Sequence, residues 1–248
     1  MVTIKSEREI ELMRKAGQIL GNTLKLLEEN VKPGITTAEL DKIAYEYIKS
    51  NDSIPSFKGY NGFPASICAS VNNEVVHGIP DNRVLREGDI VGIDAGVCYG
   101  GYHADAARTF GVGEISPAAK KLIEVTKESF FKGVEKAKHG ARIGDISAAV
   151  QTFVEGNGYS VVRDLIGHGI GSSLHEEPDV PNYGFAGKGM RLIKGMTIAV
   201  EPMVNVGGYE IRLLKNGWTY VTKDNTLSAH YENTIVITDN GCDVITLI

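Results

Sequence analysis

The sequence repeats itself once, and this repeat restricts the folds that the chain can adopt. Residues 32–52 (KPGITTAELDKIAYEYIKSND) align without a gap with residues 138–158 (KHGARIGDISAAVQTFVEGNG), at an offset of 106 residues (138 − 32). An offset this long excludes a solenoid, whose repeats span about 20–50 residues. The duplication predicts one domain, residues 1–248, that is built from two similar halves of about 1–110 and 111–248.

Helical and extended patterns occur in the same order in both halves. Hydrophobic residues at steps of three and four follow Ser6 and Thr36, each of which has a glutamate three residues later, as in a capping box. In the second half, Ser116-Pro117 predicts the start of a third helix that runs to about Gly140. A fourth helix is predicted over about 144–155. Because β-rich segments follow each pair of helices, the pattern predicts an α+β fold.

The composition excludes several classes of protein. Of the 248 residues, 42% are hydrophobic and 23% are charged, which is typical of a globular domain. The net charge of −5 argues against obligate binding to nucleic acids or anionic membranes. The N-terminal segment lacks the apolar stretch of a secretory signal, and the 3 cysteines are too scattered for a disulfide framework. We therefore expect a cytoplasmic protein.

Each half ends an apolar strand with a carboxylate. Residues 86–97 (REGDIVGIDAGV) align with residues 193–204 (IKGMTIAVEPMV), and this alignment superposes Asp94 on Glu201. An ionised carboxylate is costly at the end of a buried strand unless it is paired or binds a metal. Either acid alone, however, would more often cap a turn than take part in catalysis.

A second acid follows in each half. Asp105 lies 11 residues after Asp94 (105 − 94), across a Tyr-Gly-Gly turn that can fold the two strands into a hairpin with both carboxylates on one face. Glu232 lies in a strand near the end of the chain. Converging carboxylates repel one another unless cations lie among them. The acids therefore predict a site for divalent metal ions, and oxygen ligands with one imidazole favour Mn, Fe or Co.

Two histidines lie in the glycine-rich segment GHGIGSSLHEEP (167–178). His168 and His175 do not have the helical spacing of an HExxH zinc motif, so a zincin is excluded. His77 also precedes a glycine, in NNEVVHGIP. All are candidate functional residues.

The remaining histidines are His103, His139 and His230, and for these we favour a structural or solvent-exposed role. A lone histidine more often has such a role than a catalytic one. His103 and His230 do lie two residues from Asp105 and Glu232, on the same strand faces, where an imidazole can orient a metal ligand.

The chain resembles the type I methionine aminopeptidases over essentially its whole length. The resemblance rests on the order and spacing of VVHGIP, DIVGIDAGV, GYHADAARTF, GHGIGSSLHEEP, AVEPMV and YENTIVIT. It implies the duplicated pita-bread (creatinase/aminopeptidase) fold, an antiparallel sheet covered by two helix pairs with pseudo-two-fold symmetry. It also implies a metal-dependent aminopeptidase that removes the N-terminal methionine, preferentially when the second residue is small. Ser172 and Leu174 depart from the family pattern, which puts the finer substrate preference in doubt.

The resemblance assigns a role to each candidate residue. It implies two divalent ions (Co, Mn, Fe or Zn) held by Asp94, Asp105, His168, Glu201 and Glu232. Asp105 and Glu232 would bridge the ions, and Glu201 would also carry a proton to the leaving amine. As further catalytic, substrate-binding residues, His175 would stabilise the oxyanion and His77 would bind the substrate backbone. The methionine pocket would be lined by Tyr60, Phe63, Cys68, Trp218 and Leu174.

Two alternatives remain open at this point. A proline-specific aminopeptidase would share the fold and the metal ligands, although such enzymes usually carry a further N-terminal domain. A non-catalytic pita-bread module that binds peptides would typically lack metal ligands, and here all are present. The expected partners are peptides and nascent chains that begin with methionine, with the ribosome as a candidate partner. No nucleic-acid specificity and no membrane association are expected, and we expect a monomer.

Overall fold

The computed structural model of the protein describes residues 2–247, so the predicted domain ends, Met1 and Ile248, lie outside the described residues. The helices are α1 (Glu7–Asn30), α2 (Thr37–Ser50), α3 (Pro117–Val134) and α4 (Ile143–Gly156), with a short 3₁₀ turn at Tyr60–Gly62. The strands are β1 (Ile54–Pro55), β2 (Ile67–Val71), β3 (Glu74–Val76), β4 (Ile90–Tyr99), β5 (Tyr102–Gly111), β6 (Ser160–Val161), β7 (Gly167–Gly169), β8 (Glu176–Val180), β9 (Thr197–Val200), β10 (Met203–Asn205), β11 (Ile211–Leu213), β12 (Tyr220–Thr222), β13 (Ser228–His230), β14 (Asn233–Ile237) and β15 (Cys242–Val244).

Local capping starts the first helices where the sequence predicts. The backbone N–H of Glu9 donates to Ser6 Oγ at 3.4 Å, and the backbone N–H of Ser6 donates to the Glu9 carboxylate at 2.7 Å. Thr36 and Glu39 form the same reciprocal pair at the start of α2. Ser116 caps α3, which begins at a proline. These bonds satisfy backbone donors that a helix start leaves free, so the predicted starts are confirmed.

The predicted extension of α3 to about Gly140 is wrong, because the helix ends at Val134. The backbone N–H of His139 donates to the carbonyl of Thr238 at 3.0 Å, and that of Gly140 donates to the carbonyl of Leu192 at 2.9 Å. These bonds to remote segments replace the helical ones. The helix end is therefore set by tertiary contacts that the local sequence does not reveal.

The strands form four antiparallel groups within residues 2–247. In the first half, β4 pairs with β5 along one edge and with both β1 and β2 along the other. In the second half, one group has the order β15-β14-β9-β7-β8 and a smaller one has the order β13-β10-β6. The fourth group, β11-β12-β3, pairs two strands of the second half with β3 of the first. The β4–β5 hairpin turns at Gly100 and Gly101, which both have positive φ (58° and 85°). Glycine permits this conformation, which matches the twist of a tight hairpin.

The two halves meet along a pseudo-two-fold axis between β5 and the segment before β14. Ala107 and Glu232 exchange both backbone hydrogen bonds, at 3.3 and 3.0 Å. On one side of this pair, Thr234 Oγ1 accepts from the N–H of Asp105 and donates to its carbonyl. On the other side, Thr109 Oγ1 does the same for His230. The halves are thus joined by matched backbone and threonine contacts.

Hydrophobic residues are buried in one cluster in each half. In the first half, α1 and α2 pack their apolar faces on β2, β4 and β5. In the second, α3 and α4 pack on β9, β10, β13 and β14. A smaller cluster lies beside the junction and includes Phe57, Phe63 and Ile170. None of the helices in residues 2–247 combines the length and apolar character that a membrane span requires.

Candidate metal centre and substrate cavity

Strand register brings the predicted carboxylates to one place beside the pseudo-two-fold axis. Asp94 pairs with Ala107 across β4 and β5, and Asp105 pairs with Gly96, so both acids lie on the same face of the hairpin. Glu232 reaches this face because its backbone pairs with Ala107. Val200 pairs with Asn233, which places Glu201 opposite Glu232.

All predicted site residues line a single cavity of about 350 Å³. It contains the five predicted metal ligands together with His77, His175 and the five residues of the predicted methionine pocket. Further residues of the lining that the sequence analysis did not select are Phe57, Asn61, Val76, Asp164, Leu165, Ile166 and Met203. Among these, Phe57 follows the second helix in an aromatic-rich segment, which is the only signal that could have found it.

Within residues 2–247, nearby cations do not offset the charge of four carboxylates: Arg108 lowers the pKa of Glu232, but burial and the neighbouring acids outweigh it. Burial raises the pKa of Asp94 to about 7. Burial and mutual repulsion raise the pKa values of Asp105, Glu201 and Glu232 well above the ordinary carboxyl range. Such shifts are typical of sites where carboxylates are held close together for a purpose other than stability.

Unpartnered atoms concentrate at the same place. In residues 2–247, the buried side-chain atoms without a hydrogen-bond partner include Asp94 Oδ1, Asp105 Oδ1, Glu232 Oε1 and His230 Nε2. An unpaired buried polar atom costs about 1–3 kcal/mol. Their number at one site is explained if divalent cations bind there, since a cation pairs with several such atoms at once. The residues present therefore fit a metal centre.

Two groups of ligand atoms are close enough to hold an ion. Asp105, His168 and Glu232 offer atoms that lie within 4.8 Å of one another, and so do Asp94, His230 and Glu232. Glu232 belongs to both groups. Glu201 lies beside the first group, with Oε1 3.6 Å from His168 Nε2. Asp105 belongs to one group only, and the bridging positions of Asp105 and Glu232 stay a prediction.

The ring of His168 is oriented for coordination through Nε2. Its Nδ1 lies 2.8 Å from the carbonyl of Gly169, which can only accept, so Nδ1 carries the proton and the lone pair is on Nε2. Nε2 faces Asp105 at 3.9 Å and Glu201 at 3.6 Å. Burial, followed by the nearby His175, lowers the pKa of His168 to about 3. The ring is therefore neutral at physiological pH, which is the form that binds metals.

His175 lies against His168, with ring centroids 4.1 Å apart, at the exposed side of the cavity. Its Nδ1 is 2.7 Å from the hydroxyl of Tyr60. Tyr60 was predicted only as a wall of the methionine pocket, and its hydrogen bond to His175 was not predicted. A hydroxyl that donates to Nδ1 places the ring proton on Nε2, where it is free to donate to a ligand.

His77 occupies an unusual backbone conformation beside the acids. Its φ is 58°, in the left-handed region that non-glycine residues rarely adopt, and its carbonyl accepts from Thr219 Oγ1 at 3.2 Å. A side chain on the following Gly78 would lie 2.2 Å from the carbonyl oxygen of Ala69, so this position requires glycine. Strain of this kind is typical of residues that are positioned for function.

Aromatic and apolar side chains form the opposite wall of the cavity. The rings of Phe63 and Trp218 meet edge to face, with centroids 5.1 Å apart. Cys68 and Leu174 are almost fully buried in the same cluster. Cys68 pairs with Asp94 across β2 and β4, which places the thiol next to the acids. This apolar wall borders the carboxylates that form the floor of the cavity.

The histidines assigned to structural or exposed roles divide into two groups. His139 is exposed and accepts a backbone N–H from Lys194, and His103 is half-buried, with Nδ1 2.8 Å from Ser56 Oγ. His230, by contrast, is buried among the acids, and burial lowers its pKa to about 3. His230 is therefore not solvent-exposed, and its role beside the acids stays a prediction.

Comparison with known proteins identifies the family. Residues 11–239 match the model of metallopeptidase family M24. A methionine aminopeptidase from Clostridium perfringens is 60% identical over 248 residues, which is 100% of both chains. The chain belongs to metallopeptidase family M24. Within the family, this full-length identity groups it with the methionine aminopeptidases.

Solved structures of M24 proteins share the fold. The crystal structure of methionine aminopeptidase from Rickettsia prowazekii superposes with a TM-score of 0.98 at 43% identity and covers 100% of each chain. A prolidase from Pyrococcus horikoshii superposes with a TM-score of 0.78 at 26% identity, and the match covers 98% of this chain but 63% of the prolidase. The predicted pita-bread fold is confirmed.

Proposed function

We propose that this M24 protein is a metal-dependent aminopeptidase that removes methionine from the N-terminus of peptides and nascent proteins. The observation that carries the proposal is the convergence of four buried carboxylates and a neutral His168 at the floor of one cavity with an apolar wall. Such a cavity suits a substrate whose first residue is apolar and whose charged amine must be bound. The full-length identity to methionine aminopeptidases supports the same conclusion.

Two divalent ions would be held by the carboxylates and His168. Asp105 and Glu232 would contact both ions, Asp94 would complete one site, and His168 and Glu201 would complete the other. When bound, the ions would activate water and polarise the scissile carbonyl. The free N-terminal amine of the substrate would bind the ion held by Asp94, which would restrict cleavage to the first residue.

Three side chains would act on the substrate itself. Glu201, at the edge of the cluster, is placed to carry a proton to the leaving amine. His175 would donate a hydrogen bond from Nε2 to the developing oxyanion, with Tyr60 holding the ring in the correct tautomer. His77 would hydrogen-bond the substrate backbone after the scissile bond.

The methionine side chain would lie against Tyr60, Phe63, Cys68, Leu174 and Trp218. Aromatic rings favour a thioether through contacts of about 0.3–1.5 kcal/mol each. The cavity is small, about 350 Å³, so we expect a preference for a small second residue. The departures at Ser172 and Leu174 lie beside His175 and would adjust this preference.

The remaining expectations complete the proposal. Residues 1–248 would form a single catalytic domain that works in the cytoplasm as a monomer. Nascent chains would be its main substrates, with the ribosome as a docking partner.

A substrate panel tests the proposal. We expect cleavage of Met-Gly and Met-Ala peptides by protein supplied with Mn²⁺, slower cleavage of Met-Leu peptides, and none of peptides with an acetylated N-terminus. Release of Xaa from Xaa-Pro peptides at a higher kcat/KM would instead indicate a proline-specific aminopeptidase. Peptide binding without cleavage, in the presence of bound ions, would indicate a non-catalytic module.

A further inference from the structure

His230 is buried beside the metal centre without a partner of its own. Its side chain is 4% exposed, and Nε2 has no hydrogen-bond partner within residues 2–247. The nearest carboxylate oxygen, Oε2 of Glu232, is 3.6 Å away, which is too long for a hydrogen bond. A buried imidazole nitrogen that points at acids and bonds none of them requires an explanation.

The backbone of His230 is held by contacts on both sides, which fixes the face of the strand on which its side chain lies. Thr109 Oγ1 accepts from the backbone N–H and donates to the backbone carbonyl, both at 2.9 Å. Met203 pairs with His230 on the other side, across β10 and β13. The ring is therefore fixed on the face that also carries Glu232, two residues further along the chain.

The distances fit a shared cation. His230 Nε2, a carboxylate oxygen of Asp94 and one of Glu232 all lie within 4.8 Å of one another. Ligand atoms bound at about 2.0–2.2 Å from one ion lie at most about 4.4 Å apart, so shifts of a few tenths of an ångström would bring all three atoms within range of one ion. The imidazole would supply the nitrogen that His168 supplies to the other group of ligands.

We propose that His230 is a nitrogen ligand of the ion held by Asp94 and Glu232, so that each of the two metal sites contains one imidazole. The inference rests on the metal centre proposed above and adds a residue to it. A second imidazole makes the centre less oxygen-rich than the carboxylates alone would, which favours the later transition metals over Mn²⁺ at that position.

Counting coordinated imidazoles tests the inference. In the Co²⁺-loaded protein, the N–H protons of coordinated imidazoles give strongly shifted ¹H NMR signals that disappear in D₂O. We expect two such signals for the unaltered protein, and one for either H230Q or H168Q. The matched control is H103Q, because His103 also lies two residues from a ligand on the same strand face but bonds Ser56. This variant should keep both signals.

Calorimetry on the same metal-free proteins gives a second readout. We expect H230Q to bind one of two Co²⁺ ions about 10- to 100-fold more weakly, and H103Q to bind both normally. A single shifted signal in the unaltered protein, or unchanged signals and affinity in H230Q, would overturn the inference and leave the metal centre standing. Failure of the unaltered protein to bind Co²⁺ at all would contradict the proposed function itself. A single signal in the unaltered protein overturns the inference whether or not the variants fold, and two signals support it only if H230Q loses one of them.

Discussion

The two halves share a scaffold but fill equivalent positions with different residues. The register of β4 with β5 and of β9 with β14 makes Asp94 equivalent to Glu201, because residues 93 and 200 pair with residues 108 and 233. By the same register, Asp105 is equivalent to His230, and Ala107 is equivalent to Glu232. Each half thus supplies two carboxylates, but only Asp94 and Glu201 occupy equivalent positions in the two halves.

The strands that carry this equivalent pair also differ. β4 continues for ten residues through Asp94, whereas β9 ends at Val200 and the chain enters another group of strands at Met203. Pro202, which cannot donate to a sheet, stands in the break. Asp94 is therefore fixed within a strand, and Glu201 lies at a strand end next to the cavity. The two halves thus share a backbone frame, while the proposed ligand Asp94 and the proposed proton carrier Glu201 lie in different settings within it.

The largest expected effect distinguishes Asp105 and Glu232, which would contact both ions, from Asp94, which would contact one. D105A and E232A should lower kcat/KM by about 10³-fold or more and reduce metal content, since several kcal/mol of metal-assisted stabilisation would be lost. D94A should be milder, because Asp94 would contact one ion only. The measurements are peptide kinetics and elemental analysis. Two tightly bound ions in both D105A and E232A would show that these residues do not bridge.

The second effect separates the two neighbouring histidines of the second half. H175A should lose about 10²–10³ in kcat, which is typical for removal of an oxyanion donor, while its metal content and melting temperature stay unchanged. H168A should lose metal affinity. Kinetics and metal analysis on both variants provide the check. If H175A sheds its metal while H168A keeps metal and rate, the two roles are reversed.

The third effect concerns the acids in the absence of metal. Burial raises the pKa of Asp94 to about 7, and the pKa values of Asp105, Glu201 and Glu232 are also raised. Between about pH 4, where these groups titrate in the unfolded chain, and pH 7, the folded metal-free protein binds more protons than the unfolded one. Its free energy of unfolding should therefore fall as the pH rises through this window.

The metal-loaded protein should not lose stability in this way as the pH rises, because bound cations stabilise the ionised acids. At a hundredfold excess over Kd, the bound ion adds about 2.7 kcal/mol to the free energy of unfolding. The difference in melting temperature between loaded and chelated protein should be large at pH 7.5 and should shrink toward pH 5. D94N is the matched control, since it removes one raised group and should flatten the pH dependence of the chelated protein. A difference that stays constant or grows toward pH 5 would contradict a preformed acidic cluster.

The smallest effect tests the equivalence of the two junction threonines. T109V and T234V each leave a buried backbone N–H and carbonyl without a partner, so each should lower the free energy of unfolding by about 1–3 kcal/mol. T234V should also weaken metal binding the more of the two, because Thr234 holds the backbone of Asp105, the proposed bridging ligand. Urea unfolding and calorimetry measure both. Equal metal affinity in the two variants would mean that losing the contact to Asp105 costs no more than losing the contact of Thr109 to His230, the ligand inferred above.

Local sequence determined some of these features and remote contacts determined others. The helix starts at Ser6 and Thr36 were predictable because a capping box lies within four consecutive residues. The repeat correctly paired Asp94 with Glu201. It did not extend to Asp105 and Glu232, whose counterparts by the register are His230 and Ala107. A pairing register depends on hydrogen bonds between segments that are far apart in sequence, so the repeat could not provide it.

The same limit explains what the sequence missed at the site. His230 received a structural or solvent-exposed role because a lone histidine has no local signature, and its burial depends on β5 and β10. The hydrogen bond between Tyr60 and His175 joins a 3₁₀ turn in the first half to a loop in the second. His168 and His175, in contrast, were selected from one glycine-rich segment.

Bound ions and turnover, measured together on chelated protein, test the central claim most directly. Metal-free protein would be titrated with Mn²⁺ or Co²⁺ while ion content and cleavage of a Met-Gly peptide are followed. We predict no turnover without metal, activity that rises as ions bind, and saturation at no more than two ions in the unaltered protein. Full turnover by protein that elemental analysis shows to be metal-free would contradict the account.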